Sequence, residues 1–212
     1  MSQYTSIKKI FCIGLNKTGT TSLQAFMEMH GFTTGDQAAG ERLIASYSRD
    51  EYQPILDYCE SAQFFQDLPF SIPGIAEVLL KKYPDAKFIL TVRPTPDIWY
   101  KSLIGFHKKL FGEGERVPTK LDLKNADYRY RGFAWEANRL LYPSPEENPY
   151  REDDLKDVYI NHLEKTRMLF SKSENFLEID IESVNCVSKL ASFLQINPKV
   201  ERMPWKNKTS EL

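Results

Sequence analysis

The feature that most limits how this chain can fold is an apolar segment followed at once by a glycine bend and a helical pattern. Lys8–Leu15 reads KKIFCIGL, which predicts a buried strand. Gly14 and Gly19 lie in the bend, and Thr20–Met29 carries apolar side chains at helical spacing before a stop at Gly31. This order is typical of an α/β sheet whose first loop binds an anion.

The rest of the chain continues the alternation of strands and helices. Strands are predicted at 63–66, 87–92 and 175–181, and helices at 41–48, 51–60, 75–82, 97–111, 155–170 and 184–194. Loops are predicted at 112–118 and 141–150, and the tail from Pro198 is irregular. Alternating elements predict a parallel sheet with helices on both faces, and the length of 212 residues fits one domain spanning 1–212.

Composition narrows the class of protein. The net charge of −1 argues against a nucleic-acid binder, which usually carries a basic surface. No apolar run approaches the roughly 18 residues of a membrane span, and Met1–Lys9 lacks the apolar core of a secretory signal. The three cysteines lie far apart, which favours neither a disulfide framework nor a metal site. We therefore expect a cytoplasmic protein with no membrane or nucleic-acid partner.

The bend from Gly14 to Ser22 carries groups that bind anions. Backbone N–H groups at a helix N-terminus lack intrahelical partners, and the helix dipole favours negative charge there. Lys17 adds a positive charge, and hydroxyl donors come from Thr18, Thr20, Thr21 and Ser22. The alternative is a plain glycine turn with an incidental lysine.

The spacing of this bend differs from a nucleoside-triphosphate loop. Gly14 and Gly19 keep the spacing of G-x-x-x-x-G-K-[ST], but Thr20 stands where the lysine belongs. The lysine is instead Lys17, inside the loop, and Thr21 at the magnesium position lacks the adjacent cation. This arrangement argues against kinase or ATPase chemistry and favours a smaller anionic group.

A second candidate anion ligand ends the strand KFILTV. Arg93 follows this strand, so it is expected at the same carboxyl edge of the sheet as Lys17. Its guanidinium suits a fork-like contact with a phosphate. The alternative is an ion pair with a neighbouring carboxylate. Trp99 on the next helix is predicted to be a core residue rather than a ligand platform.

The segment Lys17-Thr18-Gly19-Thr20-Thr21 resembles the phosphosulfate-binding loop of the sulfotransferase superfamily, with Asn16 in place of a common proline. The resemblance implies a three-layer, P-loop-like α/β fold with about four or five parallel strands. It also implies that 3′-phosphoadenosine 5′-phosphosulfate (PAPS) is the sulfuryl donor and that no metal is needed. Lys17 is then catalytic, and the donor-binding loop residues are Lys17, Thr18, Gly19, Thr20, Thr21 and Ser22.

The family's second motif is an arginine at a strand end and a serine on the next helix, which hold the 3′-phosphate of PAPS. Arg93 and Ser102 match it by resemblance. Their separation of nine positions is one longer than the common pattern, and we expect the turn at 94–96 to absorb the difference. If Ser102 is not a ligand, it is a solvated surface serine.

Sulfuryl transfer to a hydroxyl or amine needs a group that removes the acceptor's proton. Asp67 ends the second predicted strand and resembles a D-x-P segment near the acceptor in some members, so it is a candidate base or acceptor contact. The alternatives are a cap for the following helix or a cation partner. His107 remains a second candidate, while His30 is expected to be a cap or surface residue and His162 a half-exposed one.

The acceptor itself is not encoded in any motif. Segments 112–131 and 141–150 are expected to shape its pocket, because loops on a rigid scaffold carry specificity. The basic tail, which includes Lys199, Arg202, Lys206 and Lys208, either approaches the 3′-phosphate or is solvated. Two other functions stay open, namely a small-molecule kinase that uses ATP and Mg²⁺ and a nucleotide-binding protein without turnover.

Overall fold

A parallel sheet of four strands forms the centre of residues 8–204, the part of the chain that the computed structural model describes. The strand order is β2-β1-β3-β4, and every neighbouring pair is parallel. The strands are β1 (Ile10–Cys12), β2 (Phe64–Phe65), β3 (Lys87–Val92) and β4 (Phe176–Asp180). The predicted α/β class and the number of parallel strands are confirmed.

Helices connect the strands and cover both faces of the sheet. They are α1 (Thr20–Met29), α2 (Gln37–Glu41), α3 (Ile44–Ser48), α4 (Gln53–Tyr58), α5 (Ile75–Lys82), α6 (Pro96–Phe111), α7 (Lys120–Asn125), α8 (Phe133–Leu141), α9 (Glu152–Leu169) and α10 (Cys186–Leu194). A short 3₁₀ helix, Cys59–Ser61, follows α4. The acidic run at 152–154 opens α9, where carboxylates favour the helix N-terminus.

Two hydrophobic cores form because successive strand residues point to opposite faces. On one face, Phe11 lies between Phe65 and Phe88, with ring centroids 5.8 and 5.6 Å away, and α5, α6, α8 and α9 cover this layer. On the other face, Ile10 and Ile89 pack beneath α1 and α10. The result is three layers, helices–sheet–helices, with the strand ends left open at one edge.

Several local predictions were wrong. β1 is shorter than the predicted strand at 8–15, the predicted helix at 41–48 is confirmed only in part, as α3, and α2, which ends at Glu41, was not predicted. Helices α7 and α8 lie in a region for which no helix was predicted. Both form around the core, since Leu123 and Phe133 are buried in it.

Two histidines are more buried than predicted. His30 is the C-cap residue of α1 and is buried. Its Nδ1 donates to the Phe26 carbonyl at 2.7 Å, and its Nε2 accepts from the Lys199 amide at 2.9 Å. His162 is also buried, and its Nε2 donates to the Ile13 carbonyl at 2.8 Å. Both therefore have structural partners, and neither lies at the surface.

Three further features concern the cysteines, the possibility of a membrane-spanning helix and the possibility of a metal cluster. The three cysteines are free and buried. Of the helices within residues 8–204, none combines the length and apolarity that crossing a bilayer requires. Within the same residues, no cluster of three His, Cys, Asp or Glu side chains is arranged to hold a metal ion. The tail positions Lys206 and Lys208 fall outside the described residues.

Candidate active site

All four strands deliver a side chain to one cavity at the carboxyl edge of the sheet. The cavity has a volume of about 570 Å³ and contains Lys17 after β1, Asp67 after β2, Arg93 after β3 and Glu182 after β4. Ser102 of α6 also lines it. Parallel topology explains this convergence, because the strands all end at the same edge. The structure thus brings Lys17, Asp67, Arg93 and Ser102 to one place.

The loop between β1 and α1 is fixed to the protein from beneath. The indole N–H of Trp99 donates to the Asn16 carbonyl at 3.0 Å, and the Tyr142 hydroxyl donates to Asn16 Oδ1 at 3.0 Å. A Cβ at Gly14 would lie 2.1 Å from Thr91 Oγ1, so only glycine lets the loop lie this close to β3. Trp99 is fully buried, as predicted, and its indole anchors the loop between β1 and α1.

The hydroxyl of Thr18 points into the protein rather than into the cavity. It donates to the Leu15 carbonyl at 2.6 Å and lies 2.6 Å from Thr91 Oγ1. Thr18 is fully buried and does not line the cavity. Its side chain therefore shapes the loop, and its backbone N–H also donates to the Leu15 carbonyl, at 3.3 Å.

The N-terminus of α1 opens into the cavity. Gly19 is the N-cap residue at φ 97°, and among the described residues no side chain caps this end and no acidic residue occupies its first turn. Thr20, Thr21 and Ser22 begin the helix and line the cavity. The first N–H groups of a helix, together with its dipole, form a site for an anion.

Lys17 has a left-handed backbone conformation, with φ 66°, which is uncommon for a residue with a Cβ. Arg93 Nε donates to its carbonyl at 2.9 Å and holds it there. The Lys17 ammonium lies 4.0 Å from the centre of the Phe106 ring. Burial, and then the charge of Arg93, lower the pKa of Lys17 to about 8, while the carboxylate of Asp67 opposes this shift.

Arg93 forms the ion pair that was the alternative to phosphate binding, and it also lines the cavity. Its Nη1 forms an ion pair with Glu182, while its Nε supports Lys17. The Tyr159 hydroxyl holds its backbone, accepting from the Arg93 N–H at 2.8 Å and donating to the Arg93 carbonyl at 3.0 Å. Arg93 is therefore a rigid cation beside Lys17, with a carboxylate already beside its guanidinium.

Asp67 lines the cavity together with the ion pair of Glu41 and Arg129. It follows β2 at φ 59°, its Oδ1 accepts from the Leu68 amide at 2.9 Å, and it does not cap α5, whose N-cap is Gly74. Burial, and then the negative charge of Glu41, raise the pKa of Asp67 to about 7; the Leu68 amide, Lys17 and Arg129 oppose this. A carboxyl group that titrates near neutral pH is suited to act as a general base.

His107 lines the same cavity but has different chemistry. Its Nδ1 forms a 2.7 Å hydrogen bond with the Tyr150 hydroxyl. Burial, and then the charge of Lys17, lower the pKa of His107 to about 3, so its imidazole is neutral and weakly basic at pH 7. Of the two candidates for proton removal, Asp67 has the better-matched pKa.

The comparisons with known proteins agree with this arrangement. A family model described as a sulfotransferase domain matches residues 9–212. The chain belongs to the sulfotransferase family. The resemblance seen in its first loop is thereby confirmed for nearly the whole sequence. Comparison with curated protein sequences gives no match.

A solved structure supports the fold of this sulfotransferase-family protein. The crystal structure of a sulfotransferase from Alicyclobacillus acidocaldarius is similar with a TM-score of 0.56, covering 97% of this chain and 89% of that chain. The sequence identity is 16%, so this likeness concerns the fold alone.

The cavity of this sulfotransferase has a wall that the sequence analysis missed. α8 contributes five lining residues, and α6 contributes large apolar side chains beside Lys17. Together the apolar lining residues are Ile98, Phe106, Leu110, Phe111, Phe133, Ala134, Ala137 and Leu141. The signal for α8 was present as apolar residues at helical spacing, namely Phe133, Ala137 and Leu141.

The polar part of the cavity also holds residues that no motif indicated. Gln37, Glu41 and Arg129 line it beside Asp67, and Glu41 forms an ion pair with Arg129. Of the segments expected to shape an acceptor pocket, 112–131 supplies Tyr128 and Arg129, and 141–150 supplies Leu141 and Tyr142.

Proposed function

We propose that this protein transfers a sulfuryl group from PAPS to a hydroxyl or amine of a small acceptor and releases adenosine 3′,5′-bisphosphate. The observation that carries the proposal is the position of Lys17. Its left-handed backbone lies at the open N-terminus of α1, in a cavity that also holds Arg93 and Asp67. Membership of the sulfotransferase family supports the same class of reaction.

The residues of the β1–α1 loop fit the phosphosulfate end of such a donor. The α1 N-terminus offers backbone donors, and Lys17 supplies a charge that is partly desolvated and therefore strong. There is no room for a side chain at Gly19, since a Cβ there would lie 2.0 Å from Ile181 Cδ1. We assign phosphosulfate binding to Lys17 and to the first turn of α1, from Gly19 to Ser22.

Arg93 and Ser102 are assigned to the 3′-phosphate. Both line the cavity, as this role requires. Because Arg93 is already paired with Glu182, whose side chain is 40% exposed, we expect the phosphate to displace this carboxylate toward solvent. Exchanging one anion for another keeps the guanidinium paired and leaves its bond to the Lys17 carbonyl in place.

In the proposed reaction, the acceptor oxygen or nitrogen forms a bond to sulfur while the bond from sulfur to the phosphate oxygen breaks. Asp67 in its carboxylate form takes the acceptor's proton. Lys17 stabilises the negative charge that develops on the departing phosphate oxygen. Arg93 keeps Lys17 in position, and the apolar wall of α6 and α8 excludes water from the acceptor side.

The test is transfer of ³⁵S from labelled PAPS to a panel of small alcohols and amines. Lys17→Ala is expected to lower kcat by about 10²–10³-fold, as loss of an electrostatic stabiliser of the transition state does in other enzymes. Lys172→Ala is the matched control, because Lys172 is exposed and far from the cavity lining. Full activity in Lys17→Ala would contradict the assigned role.

The remaining alternatives both predict no ³⁵S transfer, and a phosphoryl-transfer assay and a binding assay separate them. Phosphate transfer from ATP with Mg²⁺, and no sulfur transfer, would identify a kinase. Tight binding of adenosine 3′,5′-bisphosphate without transfer to any acceptor would identify a nucleotide-binding protein. A cytoplasmic location stays a prediction and belongs to this proposal.

A further inference from the structure

Two side chains beside Asp67 are built into the cavity and have no part in the mechanism above. Glu41 of α2 has a side chain that is 5% exposed, and Gln37 lies one helical turn before it. Gln37 Nε2 donates to Glu41 Oε1 at 2.7 Å and to Asp67 Oδ2 at 3.3 Å. One amide group thus connects two carboxyl groups.

The orientation of the Gln37 amide is determined by its other neighbour. Gln66 Nε2 donates to Gln37 Oε1 at 3.1 Å and to Gln24 Oε1 at 3.0 Å. Because the Gln37 oxygen accepts from Gln66, its NH₂ group must face the two carboxyl groups. The orientation of this amide is therefore set by Gln66 at the end of β2, whose own amide also donates to Gln24 of α1.

The two carboxyl groups differ in how completely they are bonded. Glu41 accepts at both oxygens, from Gln37 at Oε1 and from Arg129 Nε at Oε2. Asp67 Oδ1 accepts from the Leu68 amide at 2.9 Å, whereas the contact of Oδ2 within residues 8–204 is the longer 3.3 Å one to Gln37. Asp67 Oδ2 is the weakly held oxygen of the pair, and Asp67 lines the cavity.

We propose that Gln37 and Glu41 are positioning residues for the proposed transfer reaction: they orient Asp67 Oδ2 toward the acceptor and reserve proton uptake for Asp67. This inference rests on the proposed function. Glu41 is ion-paired with Arg129 and hydrogen-bonded to Gln37, so both of its oxygens are already bonded, and we assign proton uptake to Asp67. Gln37 fixes the distance between the two carboxyl groups.

The charges around Asp67 determine the direction in which its pKa should change in each variant. Burial raises its pKa, Glu41 raises it further, and Lys17 and Arg129 lower it. The titratable and charged groups that face Asp67 from the surrounding elements are Cys12, Lys17, Glu41, Tyr128, Arg129 and Tyr142. Removal of the Glu41 charge alone must therefore lower the pKa of Asp67.

The proton balance of the step is simple. As the acceptor oxygen bonds to sulfur and the sulfur–phosphate oxygen bond breaks, the acceptor's proton moves to Asp67 Oδ2. Glu41 and Gln37 exchange no proton and contact neither donor nor acceptor in this scheme. Their effect reaches the reaction only through the position and basicity of Asp67.

The first experiment is the pH profile of kcat/KM for the wild type and for Glu41→Gln. The wild-type acid limb is expected near pH 7, and in Glu41→Gln it moves down by about one pH unit, because a like charge has been removed. Plateau kcat falls about tenfold because a weaker base remains. A fall in activity with an unmoved acid limb would overturn the proposal.

Two further variants separate positioning from simple loss of structure. Gln37→Met keeps both charges but removes the amide donor, so kcat is expected to fall several-fold while the KM for PAPS stays constant. Glu28→Gln is the matched control, because exposed Glu28 accepts from Gln24 at the far end of the same amide chain. Unchanged kcat in Gln37→Met would contradict its role.

A second measurement does not depend on turnover. The carboxyl carbon of Asp67 is followed by ¹³C NMR in aspartate-labelled protein and assigned by its loss in Asp67→Asn. A downward shift of its titration in Glu41→Gln supports the network, and an unchanged titration overturns it, whether or not PAPS is a donor. A moved titration in a protein that transfers no sulfur would overturn the proposed function alone.

Discussion

The ammonium group of Lys17 is expected to make anion binding depend on pH in a range where most lysines stay charged. Burial and the nearby Arg93 lower the pKa of Lys17 to about 8, against an ordinary value of 10.5. A lysine with a pKa of about 8 is about nine-tenths charged at pH 7 and about one-tenth charged at pH 9. If only the charged form binds, the affinity for adenosine 3′,5′-bisphosphate falls about tenfold between these two pH values.

Calorimetry measures this effect in two ways. The dissociation constant is determined at pH 7, 8 and 9, and each titration is repeated in two buffers of different ionisation enthalpy. Because a bound anion favours the charged lysine, binding between pH 8 and 9 must take up protons. The phosphate groups of the ligand contribute little, since their second pKa lies near 6.

Lys17→Arg provides the control for this prediction. A guanidinium stays charged throughout this range, so the contribution of Lys17 to the pH dependence is expected to disappear. Any part that remains reports other groups, above all Asp67, whose pKa is about 7. Equal affinity of the wild type at pH 7 and 9, with no proton uptake, would refute the reasoning.

Two further predictions concern stability. Gly19→Ala adds a Cβ 2.0 Å from Ile181 Cδ1 at φ 97°, and urea unfolding should show a loss of about 2–4 kcal/mol. Gly31→Ala meets no atom within 4 Å at φ 85° and should cost only about 1–2 kcal/mol, so equal losses would contradict the packing argument. Because the pKa of Asp67 is raised, ionisation of this carboxyl group destabilises the folded state. This destabilisation is absent below about pH 4 and complete above about pH 7. Asp67→Asn should therefore raise Tm by several degrees at pH 8, because each pKa unit corresponds to about 1.4 kcal/mol and each kcal/mol to about 2–4 °C in a domain of this size. It should have little effect at pH 4, and the reverse order would be inconsistent with a buried charge.

The elements that the sequence predicts to the residue are those whose signals are local. Helices Thr20–Met29 and Ile75–Lys82 and strand Lys87–Val92 have the predicted bounds. Each has apolar residues at a regular spacing and is followed by residues that end the element, such as Gly31 or Tyr83-Pro84. The first strand was predicted too long, because the apolar pattern runs on into the bend, where Leu15 is buried without being in the sheet.

The loop between β1 and α1 and its place in the cavity were predictable because its residues are adjacent in sequence. The network around Asp67 was not, because its hydrogen bonds join distant segments. Arg129 and Glu41 are 88 positions apart, and Gln37 and Asp67 are 30 apart. The burial of His162 has the same cause, since its partner is a backbone carbonyl 149 positions away. No local pattern encodes such pairs.

The central claim is that Lys17 and the N-terminus of α1 bind a sulfated nucleotide rather than a nucleoside triphosphate. A thermal-shift comparison of adenosine 3′,5′-bisphosphate with ATP and Mg²⁺ tests it most directly, with Lys17→Ala measured alongside. At about 100 times the dissociation constant, a ligand stabilises the folded state by about 2.7 kcal/mol. We predict a rise in Tm with the bisphosphate that is lost in Lys17→Ala; a rise only with ATP and Mg²⁺ would contradict the claim.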